Sequence, residues 1–579
     1  MADFTFDFQM ALKKGSVFIE ITKGEKSTVE GKQKDTMFEL VQKAARRFPK
    51  QTAYEFMGRR TSFADWEQRV EHTACALYGM GIRPNECVTI CMPNVPQAID
   101  LFYALNRIGA LSNIIHPLSA PKEVADCLRL SKSRAILVLD SLLPRIQSAL
   151  EVLPADGKIL VARVEEELPV LLRIGMTAVA WKKTKLPKDK RQIAWNTFLK
   201  KGKGVKLPRI QIDADQPAVI LYSGGTTGTM KGILLSSRNF NALALQTIQA
   251  SGYDSIAGMR MLAMMPIFHG FGLGVGIHTP LVGGASCILI PRFQLKSYAR
   301  LLRTKKPNFI PGVPTLFEAM LRAEHMEKVD LSFVRGVFCG GDTLSPDLKM
   351  RVDAFLKKHH ATEQIREGYG ATECIAVSCL TPRGTYRRGS VGLPTAGTDY
   401  KIVRPGSEEE VPVGTEGEIC ISGPTVMLGY LDQPEETANT LRIHKDGKQW
   451  LHTGDLGKKD ADGYIYFIQR IKRMIVTSGY NVYPTRVEAV LNSHPAVRVS
   501  CVIGVPDPYR MQRVRAYVQT EPEYKASDGL KEDLIALCRE NMVQYAVPKE
   551  IVFRKIPYTK VNKVDYRALE NEAAEEGKP

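Results

Sequence analysis

Tyr222-Ser-Gly-Gly-Thr-Thr-Gly-Thr-Met-Lys-Gly232 is a loop dense in small residues and hydroxyls, with one lysine near its end. It follows Ala218-Val-Ile-Leu221, an apolar run that reads as a buried strand. Glycines let a backbone approach a ligand closely, and hydroxyl and N–H donors suit phosphate oxygens. The spacing is not that of Walker A. Gly225 has the offset of a first glycine, but Met230 stands where the second belongs, and Gly232 replaces the Ser/Thr that would hold Mg²⁺. The loop is a phosphate cradle of another kind.

Outward from the loop, helical and strand-like patterns alternate. Thr36–Arg47 reads as a helix, while Val88-Thr-Ile-Cys91, Ala135–Leu139, Cys287–Ile290 and Gly336–Cys339 read as strands. Alternation over this length predicts an α/β fold of layered sheets. From about residue 385 the texture changes to short strands between glycine turns, as in Gly417–Gly423, Trp450–His452 and Tyr464–Ile468. The last hundred or so residues read as a small α+β unit, with a helix around Leu530–Cys538. The expected organisation is a large N-terminal domain over 1–471, containing a β-rich subdomain at about 385–470 and a basic insertion at about 165–209. A mobile C-terminal lid follows over 472–579.

At 579 residues the chain exceeds what one core usually serves. No run approaches 18 uninterrupted apolar residues, so a spanning helix is not expected. The start lacks a basic and apolar leader, and the end is not Ser-Lys-Leu. Eleven scattered cysteines show no C-x-x-C and no zinc spacing, which fits a reduced cytoplasmic protein. Cys374 reads first as a buried, inert thiol. The net charge of +17 is uneven: Lys182 to Arg209 holds eleven Lys/Arg against only Asp189. With the apolar stretch before it, and Trp181, Trp195 and Phe198 as candidate anchors, this segment suits peripheral contact with an anionic membrane. A solvated basic insertion packed on its domain explains it equally well. Nucleic acid is a poorer fit, since no recognition module accompanies the charge.

Further motifs follow in order: Met265-Pro-Ile-Phe-His-Gly-Phe-Gly272, Phe338–Ser345, Gly368-Tyr-Gly-Ala-Thr-Glu373, Gly392-Leu-Pro394, Thr453-Gly-Asp-Leu-Gly457, Tyr480-Asn-Val-Tyr-Pro484 and Pro557–Asp565. The ordered set, from about residue 220 to 566, resembles the adenylate-forming (AMP-binding) superfamily of acyl-CoA synthetases, luciferases and peptide-synthetase adenylation domains. The resemblance implies a two-step ligase. A carboxylate attacks the α-phosphate of ATP, pyrophosphate leaves, and a thiol then takes the acyl group from the adenylate. It implies ATP, Mg²⁺ and CoA as the small molecules used.

Residue by residue, the resemblance places Ser223, Gly224, Gly225, Thr226, Thr227, Gly228 and Lys231 around the β- and γ-phosphates. Glu373, with Thr226, would hold Mg²⁺, and Thr372 would face the α-phosphate. Tyr369 and Gly370, beside the backbone of Gly340 and Gly341, would take adenine. Asp455 would accept from the ribose hydroxyls, with Arg470 nearby. Lys563 would bridge the carboxylate and the α-phosphate. Lys472 would be the hinge, and Ser478, Gly479 and Tyr480 would approach CoA. His269, Gly270, Gly272, Gly274 and Val313 would line the acyl site, the glycines either hollowing out room for a chain or packing closely.

Three positions depart from the usual pattern: Met230 for proline, Arg473 for an acidic residue, and Asn562 for glycine. No aspartate stands ready for a substrate ammonium, so a hydrophobic acid is expected, first a medium- or long-chain fatty acid. An aryl or sterol acid, an acyl carrier protein as acceptor, and a non-catalytic nucleotide or lipid sensor are the alternatives.

Overall fold

In the computed structural model the described residues are the backbone of 18–22 and 25–28, then 34–169, 172, 189–223, 230–477, 480–507, 509–559 and 563–576. They fall into two compact units. One runs to Tyr400 and takes back Ile421–Leu451; the other joins Lys401–Cys420 to the chain from His452 onward.

The first unit is built on two large sheets. An eight-stranded sheet runs Gly429–Tyr430, Lys231–Ser236, Pro217–Ser223, Leu111–Ile114, Cys87–Cys91, Ala135–Leu139, Lys158–Ala162, Gln192–Ala194. Its middle strands, Cys87–Cys91 and Ala135–Leu139, are buried along their whole length and pair in parallel. That explains why they read as unbroken apolar runs rather than alternating ones. A nine-stranded sheet runs Leu393–Pro394, Cys379–Leu380, Ile365–Tyr369, Gly336–Cys339, Phe309–Gly312, Arg260–Ala263, Ser286–Leu289, Thr52–Phe56, Arg59–Ser62.

Helices follow their local signals. Thr36 caps Met37–Arg47 in a reciprocal box, its hydroxyl accepting from Glu39 N at 3.2 Å while Glu39 Oε2 accepts from Thr36 N at 2.8 Å. The apolar face of that helix, including Phe38, Leu40 and Val41, is buried.

In the second unit, Met511–Thr520 pairs with Val497–Asp507, Ile475–Thr477 and Glu550–Phe553. The helices Pro484–Leu491 and Asp528–Asn541 bury Val487, Leu491, Leu530 and Leu534 in the same core. The glycine-bounded runs Gly417–Ser422, Gln449–Lys459 and Ile465–Arg470 are strands, as expected.

One expectation is corrected. Trp195 and Phe198 are not surface anchors: both are buried, with ring centroids 5.2 Å apart, in the helix Trp195–Lys200. Two large aromatic rings recover more by packing inside the unit than by waiting at the surface. Trp181, Lys182, Lys183 and Lys185 lie outside the described residues. Among the described residues no helix is long and apolar enough to cross a membrane, and no disulfide forms.

Candidate active site

Parallel strands of the nine-stranded sheet deliver most first-unit candidates to one edge. Arg260–Ala263, Phe309–Gly312, Gly336–Cys339 and Ile365–Tyr369 are joined by parallel pairings. From their carboxyl ends emerge, in turn, the Met264–His269 segment, Val313, Gly340-Gly341, and Gly370–Glu373. This is the edge where open α/β sheets bind ligands. Cys339 and Glu367 are register partners, so Gly340-Gly341 and Tyr369 leave neighbouring strands side by side. Gly341 has φ 81°, a turn that glycine adopts without strain.

The glycine-rich loop is the connection of a hairpin. Pro217–Ser223 and Lys231–Ser236 pair antiparallel, with Ser223 opposite Lys231 at the mouth. Gly224, Gly225, Thr226, Thr227 and Gly228 lie outside the described residues. At the mouth, Ser223 Oγ donates to Glu373 Oε1 at 3.2 Å, and Tyr430 OH donates to the same oxygen at 3.1 Å. Glu373 and Thr372 sit on a single helical turn, Thr372–Cys374. The carbonyl of Glu373 accepts from Met427 N at 2.8 Å.

Lys231 Nζ pairs with Glu436 Oε2 at 2.5 Å and lies 4.8 Å from the centre of the Tyr430 ring. Burial, and then the neighbouring Glu373 carboxylate, push the Tyr430 phenol well above its ordinary pKa, so it stays a hydrogen-bond donor. Met230 accounts for its own presence: it packs on the core around Cys127, whose Sγ lies 3.1 Å from Met230 Sδ. Burial pushes the Cys127 thiol up to about 12, so this is packing and not thiolate chemistry. Cys374 is buried, its sulfur accepting from Ala371 N at 3.2 Å.

His269 Nδ1 accepts from Phe271 N at 3.2 Å. In the neutral ring the proton therefore sits on Nε2. The segment before it is clamped by Asn94, which is 2% exposed. Asn94 Nδ2 donates to the carbonyls of Ala263 and Met265, both at 2.9 Å, and Oδ1 accepts from Ile267 N at 3.0 Å. The chain continues as a π-helical stretch, Phe271–His278.

Gly270, Gly272 and Gly274 are each closely packed, whereas Gly276 has room beside it. A Cβ on Gly270 would stand 1.6 Å from the carbonyl oxygen of Ile375, and one on Gly272 would stand 2.0 Å from that of Pro266. A Cβ on Gly274 would meet Leu243 Cδ2 at 2.4 Å, whereas on Gly276 the nearest atom is 3.8 Å away. Ile375 is buried at φ 68° and ψ −60°, a strained setting for a β-branched residue. Val313 is part-buried and begins the turn into the helix Pro314–Leu321.

In the second unit, Asp455 is 2% exposed and pairs with Arg470, Nε to Oδ1 at 2.9 Å. Its turn is held from Glu418, whose carboxylate accepts from Gly454 N at 3.0 Å and lies 3.1 Å from His452 Nδ1. Lys472 lies in the short turn Ile471–Arg473. Arg473 turns inward, with Nη2 2.6 Å from Glu488 Oε1 and the guanidinium over the Tyr566 ring. The basic residue at this position is thus compensated from the neighbouring helix.

Lys563 N donates to Thr559 Oγ1 at 3.1 Å, and Thr559 N to the Lys563 carbonyl at 2.7 Å, closing the loop that carries it. Tyr480 is exposed and stacks on Tyr545 with centroids 4.6 Å apart. Ser478, Gly479 and Asn562 lie outside the described residues. Sequence reasoning missed Asn94, Tyr430 and Glu436. The Tyr430-Leu-Asp-Gln-Pro-Glu-Glu436 run offers one cue, a proline and acidic pair opening the helix Pro434–Thr440.

A layered α/β unit whose hairpin mouth meets Glu373, followed in the chain by a small α+β unit, has the architecture of the adenylate-forming enzymes. The AMP-binding enzyme model matches residues 41–431, and the AMP-binding enzyme C-terminal domain model matches 486–563. The chain belongs to the AMP-binding enzyme family. It is 32% identical to the long-chain-fatty-acid–CoA ligase of Bacillus subtilis (strain 168), over 93% of this chain and 95% of that one. It is 30% identical to the ligase of the same name from Salmonella typhimurium, over 93% and 94%. The crystal structure of the anthranilate CoA ligase AuaEII with anthranoyl-AMP superposes with a TM-score of 0.79 at 25% identity, covering 93% of this chain and 97% of that one.

Proposed function

We propose that the protein activates a hydrophobic carboxylic acid, a medium- or long-chain fatty acid, with ATP and passes the acyl group to CoA. The observation that carries this reading is the convergence of Ser223 and Tyr430 on Glu373 at the mouth of the hairpin that carries Lys231. The names of the full-length relatives point to the fatty acid.

In the first step an acid oxygen attacks the α-phosphorus, pyrophosphate leaves, and an acyl-adenylate forms. Two anions must meet, so cations and oriented donors offset their repulsion. Lys231 exchanges Glu436 for phosphate oxygens, and Lys563 sits between carboxylate and α-phosphate. Thr372 donates to the α-phosphate. Tyr369 and Gly370 stack on adenine beside Gly340-Gly341, and Asp455, oriented by Arg470, accepts from the ribose hydroxyls.

Glu373 fits a Mg²⁺ ligand. Among the described residues both hydroxyl bonds fall on Oε1, leaving Oε2 as a hard oxygen donor. Held there with help from Thr226, the ion would supply charge neutralisation to the phosphates. In the second step the CoA thiol, losing its proton, attacks the acyl carbonyl and AMP leaves. Lys472 acts as the pivot between steps, and Ser478, Gly479 and Tyr480 line the approach of CoA.

The test is release of pyrophosphate and AMP with ATP and Mg²⁺ across fatty, aryl and sterol acids, with and without CoA. Turnover that needs CoA and is best with a fatty acid is expected. Preference for an aryl acid would reassign the substrate, and transfer only to a carrier protein would reassign the acceptor. No release with any acid would overturn the enzyme reading.

A further inference from the structure

At one lateral edge of the nine-stranded sheet, the strand Arg59–Ser62 and the helix Phe63–Gly79 border a cavity of about 450 Å³ that the proposed adenylation chemistry does not use. Arg59, Arg60, Arg69, His72, Thr61 and Gln68 line it, and Asp65 contributes one carboxylate. Asp65, Gln68, Arg69 and His72 recur at helical spacing, so one face of the helix forms a polar wall.

Buried acids anchor Arg69 from behind, and Arg59 and Arg60 reach acids of the same group at longer range. Arg69 is held through Nε to Asp100 Oδ2 at 2.7 Å and through Nη2 to Glu167 Oε1 at 2.7 Å. Tyr54 OH donates to Asp100 Oδ1 at 3.0 Å. Arg60 Nε reaches Glu55 Oε2 at 3.3 Å, and Arg59 Nη1 lies 3.5 Å from Glu167 Oε2. Glu55 is also held by Arg260 and Lys305. Three buried carboxylates therefore meet five cations, and Asp65 brings the acids only to four. Among the described residues the remaining N–H groups of Arg59 and Arg60 have no protein acceptor, and both side chains are well exposed.

A second positive surface adjoins the first through Glu55. From Arg292 to Lys306 the chain carries six Lys/Arg and no acid. The helix Tyr298–Lys305 buries Tyr298, Ala299 and Leu302 and leaves Arg300 and Arg303 exposed, with Lys296 exposed in the turn before it. Lys305 at its end binds the carboxylate that Arg60 binds.

We infer that the pocket between Arg59–Ser62 and the first half of Phe63–Gly79 is a binding site for a phosphomonoester dianion. Guanidinium forks match tetrahedral phosphate oxygens with paired donors, and Arg59 and Arg60 offer theirs beside Arg69, which the buried acids hold in place. The ligand is a soluble phosphate compound or an exposed phosphomonoester lipid headgroup. The basic helix beside the pocket raises the local concentration of either.

The test uses the full chain, with inorganic phosphate as the soluble probe and phosphatidylcholine vesicles doped with phosphatidic acid or phosphatidylglycerol at matched surface charge. The variant Arg59→Gln/Arg60→Gln alters two exposed side chains and leaves Arg69 and its acids in place. It should bind inorganic phosphate about ten-fold or more weakly while ATP-dependent pyrophosphate release is unchanged. Taking the difference from wild type separates the pocket from anions bound at the nucleotide site.

A Lys296→Gln/Arg300→Gln/Arg303→Gln variant should keep saturable phosphate binding. Preference for phosphatidic acid over phosphatidylglycerol, lost in the pocket variant, would assign a lipid headgroup. Phosphate binding without that preference would assign a soluble compound. Equal phosphate binding by wild type and pocket variant would overturn the inference. Absence of saturable phosphate binding would also overturn it, leaving the arginines only to charge an exposed sheet edge.

Discussion

Replacing Gly270 by alanine should cripple adenylation by overpacking. The new methyl would stand 1.6 Å from the Ile375 carbonyl oxygen, whereas real Cβ contacts essentially never fall below 3.0 Å. The two segments must therefore part by about 1.4 Å. Ile375 cannot simply yield: it is buried, its φ of 68° is already unfavourable, and its N–H closes the turn to Thr372 O at 2.9 Å. That turn carries Glu373, so the displacement passes to the carboxylate held by Ser223 and Tyr430.

Overpacking of this kind costs about 1–3 kcal/mol of stability. A shift on the order of 1 Å at a reacting centre costs about a hundred-fold in rate. The control is Gly276→Ala, where the nearest atom is 3.8 Å away, and stability should stay within about 0.5 kcal/mol of wild type. Pyrophosphate release at saturating acid and ATP, with urea unfolding of each variant, reads both effects. If Gly270→Ala kept normal rate and stability and only shortened the preferred chain, the packing account would fail and the hollow-channel account would return.

Three further outcomes are expected. His278 is buried between Tyr103 OH, 3.0 Å from Nδ1, and Asn241 Oδ1, 2.9 Å from Nε2, and burial lowers its pKa to about 3. The folded state excludes the proton that the unfolded state binds below about 6.5. Its contribution is therefore complete above pH 6.5 and is lost as pH falls through 3, on the order of 5 kcal/mol across the window. His278→Gln should flatten that acid limb in urea titrations, and an unchanged slope would count against the assignment. Asn94→Ala removes three hydrogen bonds from the segment before His269. It should cost roughly 3 kcal/mol and lower kcat for adenylation; wild-type stability would show that the segment holds its shape unaided. Lys472→Pro should impair thioester formation while sparing acyl-adenylate formation, and equal loss in both half-reactions would remove Lys472 as the pivot.

Much was legible along the chain because its causes are local. A strand buried on both faces reads as an unbroken apolar run, a capping box closes within four residues, and a glycine-rich turn after such a strand reads as a phosphate loop. These cues, with the order of the motifs, were enough for the layered α/β fold and the family. What depends on strand order and register was not legible. Ser223 and Glu373 are 150 positions apart, Lys231 and Glu436 are 205 apart, and Asn94 reaches Met265 across 171. No short-range period encodes such meetings; they exist only once strand order and pairing have brought loops from distant parts of the chain together.

The same distinction governs the mixed cases. Gly270, Gly272, Gly274 and Gly276 look alike in sequence whether they open space or admit a neighbour; in the fold Ile375, Pro266 and Leu243 crowd the first three and leave Gly276 with room. Trp195 beside lysines suggests a surface anchor until the sheet it covers is present. Composition and periodicity determine which segments can bury a face; tertiary structure alone decides what each face meets, because that choice is made by residues far away in the chain.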